Sequence, residues 1–293
     1  MPILSRIKHK IRRGQQPKPI PTASNYILVI LDSCRYDALA KAQPKTILKL
    51  GSLQKRWSYA SWTAPSHYNL LMGLLPHSAP KNVFASTFYK KDLEHFGVRL
   101  NMPNIQFQHM LPRMWLPKYL KSLGYYTRAL VSMPVLNPNT PLAVDFDSYE
   151  LVEKHNDLMA MIPKLQFSAH RPTFYLLNTG ETHYPYAPPD EPESQWPRIH
   201  GLHGVFKRMQ EGSPISSQFF NLDRLKQLQQ RQVRVLDWVD RAIEALFDSL
   251  PANTYVTITS DHGELFGEEG FFGHGPIHHP KIWEVPLVEG KLR

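Results

Sequence analysis

The sequence has a single cysteine in 293 residues, Cys34. That count excludes an internal disulfide, four-cysteine zinc modules and the disulfide scaffolds of small secreted domains. Any metal is left to oxygen and imidazole donors. Acidic residues are missing from the start: none precedes Asp32, whereas Arg6, Lys8, Lys10, Arg12, Arg13 and Lys18 all do. Those six carry most of the net charge of +9 and leave the body of the protein nearly neutral. A nucleic-acid-binding body, which would carry its bases in a stripe over folded elements, is therefore not expected. Long apolar runs are missing as well. Near the start the longest is Tyr26 to Leu31, ended by Asp32, short of a secretory signal core and far short of the roughly 20 residues of a membrane span. A soluble, cytoplasmic chain is the expectation.

What is present reads as one α/β domain. At 42% hydrophobic and 20% charged the composition is globular, and disorder throughout is excluded. Residues 1–24 form a basic arm and proline-bearing linker, and residues 25–293 a single domain. Within the arm, Ile3, Leu4, Ile7 and Ile11 recur at helical spacing, so residues 2–13 read either as a short amphipathic helix touching an anionic membrane surface or as a solvated arm. Continuous, β-branched apolar runs at 26–32, 127–133, 173–179 and 254–260 predict strands buried on both faces, hence a mostly parallel sheet with helices on each side. The clearest helix is 222–250, where Leu225, Leu228, Leu236, Val239, Ile243, Leu246 and Leu250 repeat at three and four before Pro251. The connections 82–112 and 187–221 are long and proline-punctuated. They are expected to carry substrate-facing insertions, with Lys90, Lys91, Arg99, Arg113, Arg198 and Lys207 as candidates to meet an anionic substrate.

In open α/β sheets ligands bind beyond the carboxyl ends of the strands. The residues there are Asp32, then Glu181-Thr182-His183, then Asp261-His262. Two carboxylates and an imidazole from neighbouring strands offer three corners of a metal site, although each alone reads equally as a cap or turn former. In Trp62-Thr63-Ala64-Pro65-Ser66-His67, Pro65 marks the first turn of a helix, so Thr63 lies where backbone N–H groups favour an anion. Its hydroxyl is either a nucleophile activated by a divalent cation or simply the helix N-cap.

Four ordered blocks then carry a resemblance: Val-Ile-Leu-Asp-Ser-Cys-Arg-Tyr-Asp (29–37), Trp-Thr-Ala-Pro-Ser-His with Gly-Leu-Leu-Pro-His (62–77), Glu-Thr-His-Tyr-Pro-Tyr-Ala-Pro-Pro (181–189) and Ser-Asp-His-Gly-Glu with Gly-His-Gly (260–275). Together they resemble sulfatase-like members of the alkaline phosphatase superfamily, and Trp-Glu-Val-Pro-Leu-Val (283–288) looks like the family's closing strand. The resemblance implies an alkaline-phosphatase-like α/β/α sandwich without the extra C-terminal subdomain of many sulfatases. It implies that Asp32, Asp261 and His262 bind the metal, that Thr63 is a metal-bound nucleophile forming a covalent phosphothreonine, and that His183 and His274 face the transferred or leaving group. His67 stands where sulfatases have the arginine of their maturation signature, and is the other candidate substrate contact. Thr63 stands where they have the cysteine or serine converted to formylglycine, and threonine cannot supply that aldehyde.

The expected activity is therefore a metal-dependent hydrolase or phosphoryl-group transferase of the phosphodiesterase type, acting on a small anionic phosphate-type ester. A sulfuric ester hydrolase and a non-catalytic anion-binding scaffold are the alternatives. Ser33 replaces a second aspartate of many sulfatases, which favours Mn²⁺ or Zn²⁺ over Ca²⁺ or Mg²⁺. One ion is expected, and a second would recruit His183, His274 and Glu181. The lack of a membrane span argues against the polytopic transferases that share this domain. Arg35 and Asp37 read as an ion pair, Cys34 as a small apolar residue, Tyr184 to Tyr186 as packing or pocket wall, and His278 and His279 as solvated residues or a lid.

Overall fold

β1 (Asn25–Leu31) is buried at every position after its first, and β5 (Thr173–Thr179) along its whole length, as strands covered on both faces must be. The computed structural model describes residues 22–79, 93–105, 114–197, 199 and 220–292. Residues 2–13 and five of the six candidate bases, Lys90, Lys91, Arg113, Arg198 and Lys207, lie outside them. The other strands are β2 (Gln54–Trp57), β3 (Tyr126–Val131), β4 (Ser148–Leu151), β6 (Thr254–Thr259), β7 (Leu265–Phe266), β8 (Phe272–Gly273) and β9 (Glu284–Lys291). A seven-stranded sheet runs in the order β2-β9-β6-β1-β5-β3-β4, and β7 pairs with β8 in a small separate hairpin. Within the large sheet β9 is antiparallel to both of its neighbours, while β6, β1, β5, β3 and β4 run parallel.

Successive side chains of β1 point to opposite faces and enter different cores. Tyr26, Leu28 and Ile30 join Phe174 and Leu176 under α3 (Thr63–Leu71) and α4 (Leu116–Ser122). Ile27, Val29 and Leu31 join Tyr175 and Leu177 under α1 (Tyr36–Ala42), α2 (Lys45–Leu50) and α5 (Leu222–Ser249). The result is the α/β/α sandwich that the sequence predicts. α5 begins where Asn221 accepts a hydrogen bond from Arg224 N, and buries Leu225, Leu228, Val235, Leu236, Val239, Ala242, Ile243 and Leu246 at helical spacing. No helix among the described residues is long and apolar enough to cross a membrane.

Arg99 departs from its expected place at a substrate. It is 3% exposed and pairs with Glu289 of β9 at 2.9 Å, so it holds a helical turn to the sheet rather than meeting an anion. The His278 ring centre lies 5.7 Å from that of Trp283 with the planes tilted by 51°, and His279 Nδ1 accepts from Lys281 N to cap the turn Pro280–Trp283. His278 remains exposed, as a solvated residue, while His279 belongs to a partly buried corner. Cys34 is fully buried, as a small apolar residue should be.

Candidate active site

The parallel neighbours β6, β1 and β5 end side by side, with Leu31 opposite Thr179 and Ile30 opposite Thr259. Asp32, Asp261 and His262 therefore emerge within a few ångströms of one another. Each offers a ligand atom lying within 4.8 Å of the other two, and all three residues are buried. Two side chains lock the strand-end loops. Gln232, buried on α5, donates to Ser33 O and Thr182 O at 2.9 Å each; Thr182 Oγ1 donates to Asp32 O at 2.7 Å. Gly263 is required by a close approach: a Cβ there would meet Lys281 O at 2.1 Å.

Hydrogen bonds assign the donor atoms. His262 Nδ1 lies 2.9 Å from Gly263 O, so it carries the proton and leaves the Nε2 lone pair exposed to the site. That lone pair faces Asp261 Oδ2 at 3.4 Å and Asp32 Oδ1 at 4.0 Å. Asp261 Oδ1 accepts from Ser33 N and His262 N at 3.1 and 3.0 Å, whereas Asp261 Oδ2 is buried and accepts nothing. Asp32 accepts from Asn178 Nδ2 at 3.1 Å and Ser33 Oγ at 3.2 Å. Three electron pairs converging in a buried space, one of them on an orphaned carboxylate oxygen, form an environment that a divalent cation fits. The set is two oxygens and a nitrogen.

Charge follows the same logic. Burial and the adjacent Asp32 carboxylate push Asp261 well above the usual carboxylate range. Asp32 is held below that range, against the upward push of its burial, chiefly by the neighbouring His183 imidazole. Burial and the neighbouring His274 press His262 well below its ordinary value, which keeps it neutral and able to ligate.

Thr63 is the first residue of α3. The N-cap is Trp62, without a side-chain bond, so the Thr63 hydroxyl is not engaged as a cap. Its Oγ1 lies 3.3 Å from His262 Nε2, on the metal-ligating side of that ring. One turn on, His67 is buried behind the carboxylates. Its Nδ1 bonds Thr63 O at 2.8 Å and lies 3.8 Å from Asp261 Oδ2, while its Nε2 has no partner. His183 and His274 stand at the margin. His183 Nδ1 bonds Tyr184 O at 2.9 Å, and His274 Nδ1 lies 3.1 Å from Glu264 Oε1. The His274 ring centre is 4.2 Å from that of His262 and 5.5 Å from that of His183.

Glu181, the sequence-derived candidate for a second ion, is turned away from this cluster. Its carboxylate accepts from Leu158 N at 2.7 Å and from the Thr179 hydroxyl. Burial raises it from 4.5 to about 7. An acid whose folded value is raised contributes stability that is complete below its unfolded value and lost as pH climbs through the folded one. Glu181→Gln keeps the acceptor for Leu158 N and offers an N–H to Thr179. It is therefore expected to melt higher than wild type above pH 7, by about 3 kcal/mol, with the advantage vanishing near pH 4.5. Thermal melts of both proteins across that window measure it, and parallel curves would refute it.

Sequence reasoning missed Asn178, Glu264, Tyr186 and Gln232. Asn178 is a polar interruption of an apolar strand and could have been noticed. Tyr186, read as packing or pocket wall, donates its hydroxyl to Glu264 Oε2 at 2.5 Å from a backbone at φ 60°, a conformation bulky residues avoid. Arg35 pairs with Asp37, as expected, and also with Glu268, each at 2.6 Å.

A family model described as Sulfatase matches residues 24–288. No curated protein matches the chain. Among solved structures, the chain is similar to the C-terminal periplasmic domain of EcEptC from Escherichia coli in complex with zinc, at 14% identity and TM-score 0.54 over 96% of this chain and 74% of that one. It is similar to the soluble domain of lipooligosaccharide phosphoethanolamine transferase A from Neisseria meningitidis, at 15% identity and TM-score 0.53 over 95% and 79%. A third is BT4656 in complex with its substrate D-glucosamine-2-N,6-O-disulfate, at 13% identity and TM-score 0.57 over 92% and 71%. At such identities the likeness is one of fold: the alkaline-phosphatase-like sandwich built around a mostly parallel sheet.

Proposed function

The chain belongs to the sulfatase family, and from that premise we propose that it is a metal-dependent hydrolase or transferase of phosphate-type esters with Thr63 as nucleophile. One observation carries the reading. The Thr63 hydroxyl, not engaged in capping, stands 3.3 Å from the Nε2 of His262, and that Nε2 lies 3.4 Å from the orphaned oxygen of Asp261. Asp32, Asp261, His262 and Thr63 would hold a divalent cation, which lowers the pKa of a hydroxyl and neutralises charge on a transferred group.

The protein's own residues supply the remaining chemistry. α3 presents its first turn, with backbone N–H groups directed outward, to the anionic group that Thr63 attacks. Attack forms a bond from Thr63 Oγ1 to phosphorus while the opposite ester bond breaks, and the proton released by the Thr63 hydroxyl goes to the departing oxygen, which leaves as the alcohol. Water or an acceptor alcohol then cleaves the phosphothreonine and restores the hydroxyl. His183 and His274, whose Nδ1–H groups are engaged, turn their Nε2 lone pairs to the group in transit, where they take up the proton of the attacking hydroxyl and return it to the departing oxygen. Phosphorus is preferred over sulfur because threonine cannot become the aldehyde that sulfatases use. The phosphoethanolamine transferase among the similar structures supports that preference, and the zinc complex supports the metal.

The test is a panel of chromogenic phosphomonoester, phosphodiester, phosphonate and sulfate esters, each with Mn²⁺ or Zn²⁺. Acid-quenched samples then go to peptide mass spectrometry. Turnover of a phosphorus ester with phosphate trapped on Thr63 is expected. Turnover of the sulfate ester alone would overturn the substrate class, and phosphorus turnover with no label on Thr63 under burst conditions would overturn the nucleophile.

A further inference from the structure

Behind His274 lies a buried chain of hydrogen bonds that the reaction as described does not use. Glu264 is 2% exposed and Tyr186 1%. Glu264 Oε1 stands 3.1 Å from His274 Nδ1, and Glu264 Oε2 accepts from Tyr186 Oη at 2.5 Å. The three residues come from different segments: Tyr186 from the loop after β5 that also carries His183, Glu264 from the stretch after β6, and His274 from beyond β8. Further contacts tie down the first two segments. Tyr186 N donates to His183 O at 2.7 Å, and the Tyr186 ring packs on Phe266 at 5.4 Å. Arg35 Nη1 donates to Glu264 O at 3.2 Å while pairing with Asp37 and Glu268.

We propose that Tyr186 and Glu264 are positioning residues that set the tautomer and ring orientation of His274, so that its Nε2 faces the group transferred from Thr63. The inference rests on the proposed function and deepens it. An imidazole joined to Cβ by one bond turns about two torsions, and its tautomer is set by whatever its other nitrogen meets. A carboxylate with one free acceptor oxygen demands an N–H at Nδ1. The Tyr186 hydroxyl, by occupying Oε2, prevents the carboxylate from rotating and leaves Oε1 as the oxygen directed at His274. Nε2 is then directed into the space shared with His262 and His183. Groups that orient a histidine in this way typically matter by about 10–100-fold.

Removing Glu264 alone would strand the buried Tyr186 hydroxyl and damage folding for an unrelated reason. The decisive variant is therefore the pair Tyr186→Phe with Glu264→Leu, which replaces both partners by apolar groups of similar size, alongside the mild single change Tyr186→Phe. Two readouts apply to the full chain. In ¹⁵N imidazole spectra of the zinc-loaded and ion-free protein, with His274 assigned from a His274→Asn control, wild type is expected to show one fixed Nδ1–H tautomer and the pair a mixture. In kinetics on the best ester of the panel, the pair is expected to lose about 10–100-fold in kcat with KM changed less than about threefold, and Tyr186→Phe a smaller part of that loss. An unchanged His274 spectrum in the pair overturns the inference, as does an altered spectrum with unaltered kcat. A wild-type protein inert toward every ester would instead count against the proposed function, and the spectra alone would then decide whether Glu264 orients His274.

Discussion

Thr63→Ala is expected to lower turnover of the best phosphorus ester by at least roughly 10⁴-fold while leaving a folded protein. The magnitude follows from the lack of a substitute. The neighbouring hydroxyls are engaged: Ser66 Oγ donates to Ala60 O at 3.3 Å and Ser33 Oγ to Asp32 Oδ1 at 3.2 Å. Stability should change by less than about 1 kcal/mol, because alanine is the better helix former and Thr63 makes no cap. Thr63→Ser, which keeps the hydroxyl and gives up only a methyl group, is expected to stay within about tenfold of wild type. Steady-state kinetics beside thermal melts separates chemistry from folding. An alanine variant within tenfold of wild type would remove Thr63 from the mechanism, and a serine variant as inert as alanine would show that the methyl group, not the hydroxyl, is what the site needs.

Why Thr63 could be singled out from sequence, and Glu264 could not, is a matter of range. Strands buried on both faces are written as continuous apolar runs, so β1, β3, β5 and β6 are legible locally. The polar residue that ends each run then falls at the carboxyl edge of the sheet, which places Asp32, Asp261 and His262 without any knowledge of contacts. α5 is legible because its apolar stripe continues for most of its 28 residues. β2 is not, because Gln-Lys-Arg-Trp at a sheet edge carries no periodic signal and depends on pairing with β9. Nor does β9 announce that it runs against β6, since direction is a property of the connection.

The polar supports are hidden for a similar reason. Tyr186 and Glu264 are 78 positions apart, and Gln232 is 199 from the Ser33 carbonyl it holds. Gln232 sits in a polar stretch of α5 and reads as solvated until folding brings the loops beneath it. Glu181 shows the converse error. A carboxylate two positions from His183 invites a metal role, yet the backbone turn after β5 sends it to Leu158 and Thr179 instead.

Asp261→Asn should reverse sign according to whether the ion is present. Without it, Asp261 and Asp32 confront one another in a buried space, and burial together with Asp32 raises the Asp261 carboxyl well above its usual range. A raised folded value means stability present at low pH and lost as pH rises, so at neutral pH the ion-free wild type holds an unfavourable proton or an unfavourable charge. Asparagine still accepts from Ser33 N and His262 N through Oδ1, and its amide can donate toward Asp32. The ion-free variant is therefore expected to be more stable than ion-free wild type at pH 7 by about 1–3 kcal/mol. Saturating Mn²⁺ or Zn²⁺ inverts the order. At a thousand times Kd an ion adds about 4.1 kcal/mol to the protein that binds it, roughly 8–16 °C in Tm for a domain of this size, and the variant, lacking the anionic ligand, gains little. Turnover should fall with the ion's affinity. Four melting curves decide the matter, wild type and variant with chelator and with excess ion. An equal ion-induced shift in both proteins would strike Asp261 from the ligand set. A variant that melts below wild type in chelator would show that the Asp261 carboxylate contributes more through Ser33 and His262 than it costs beside Asp32.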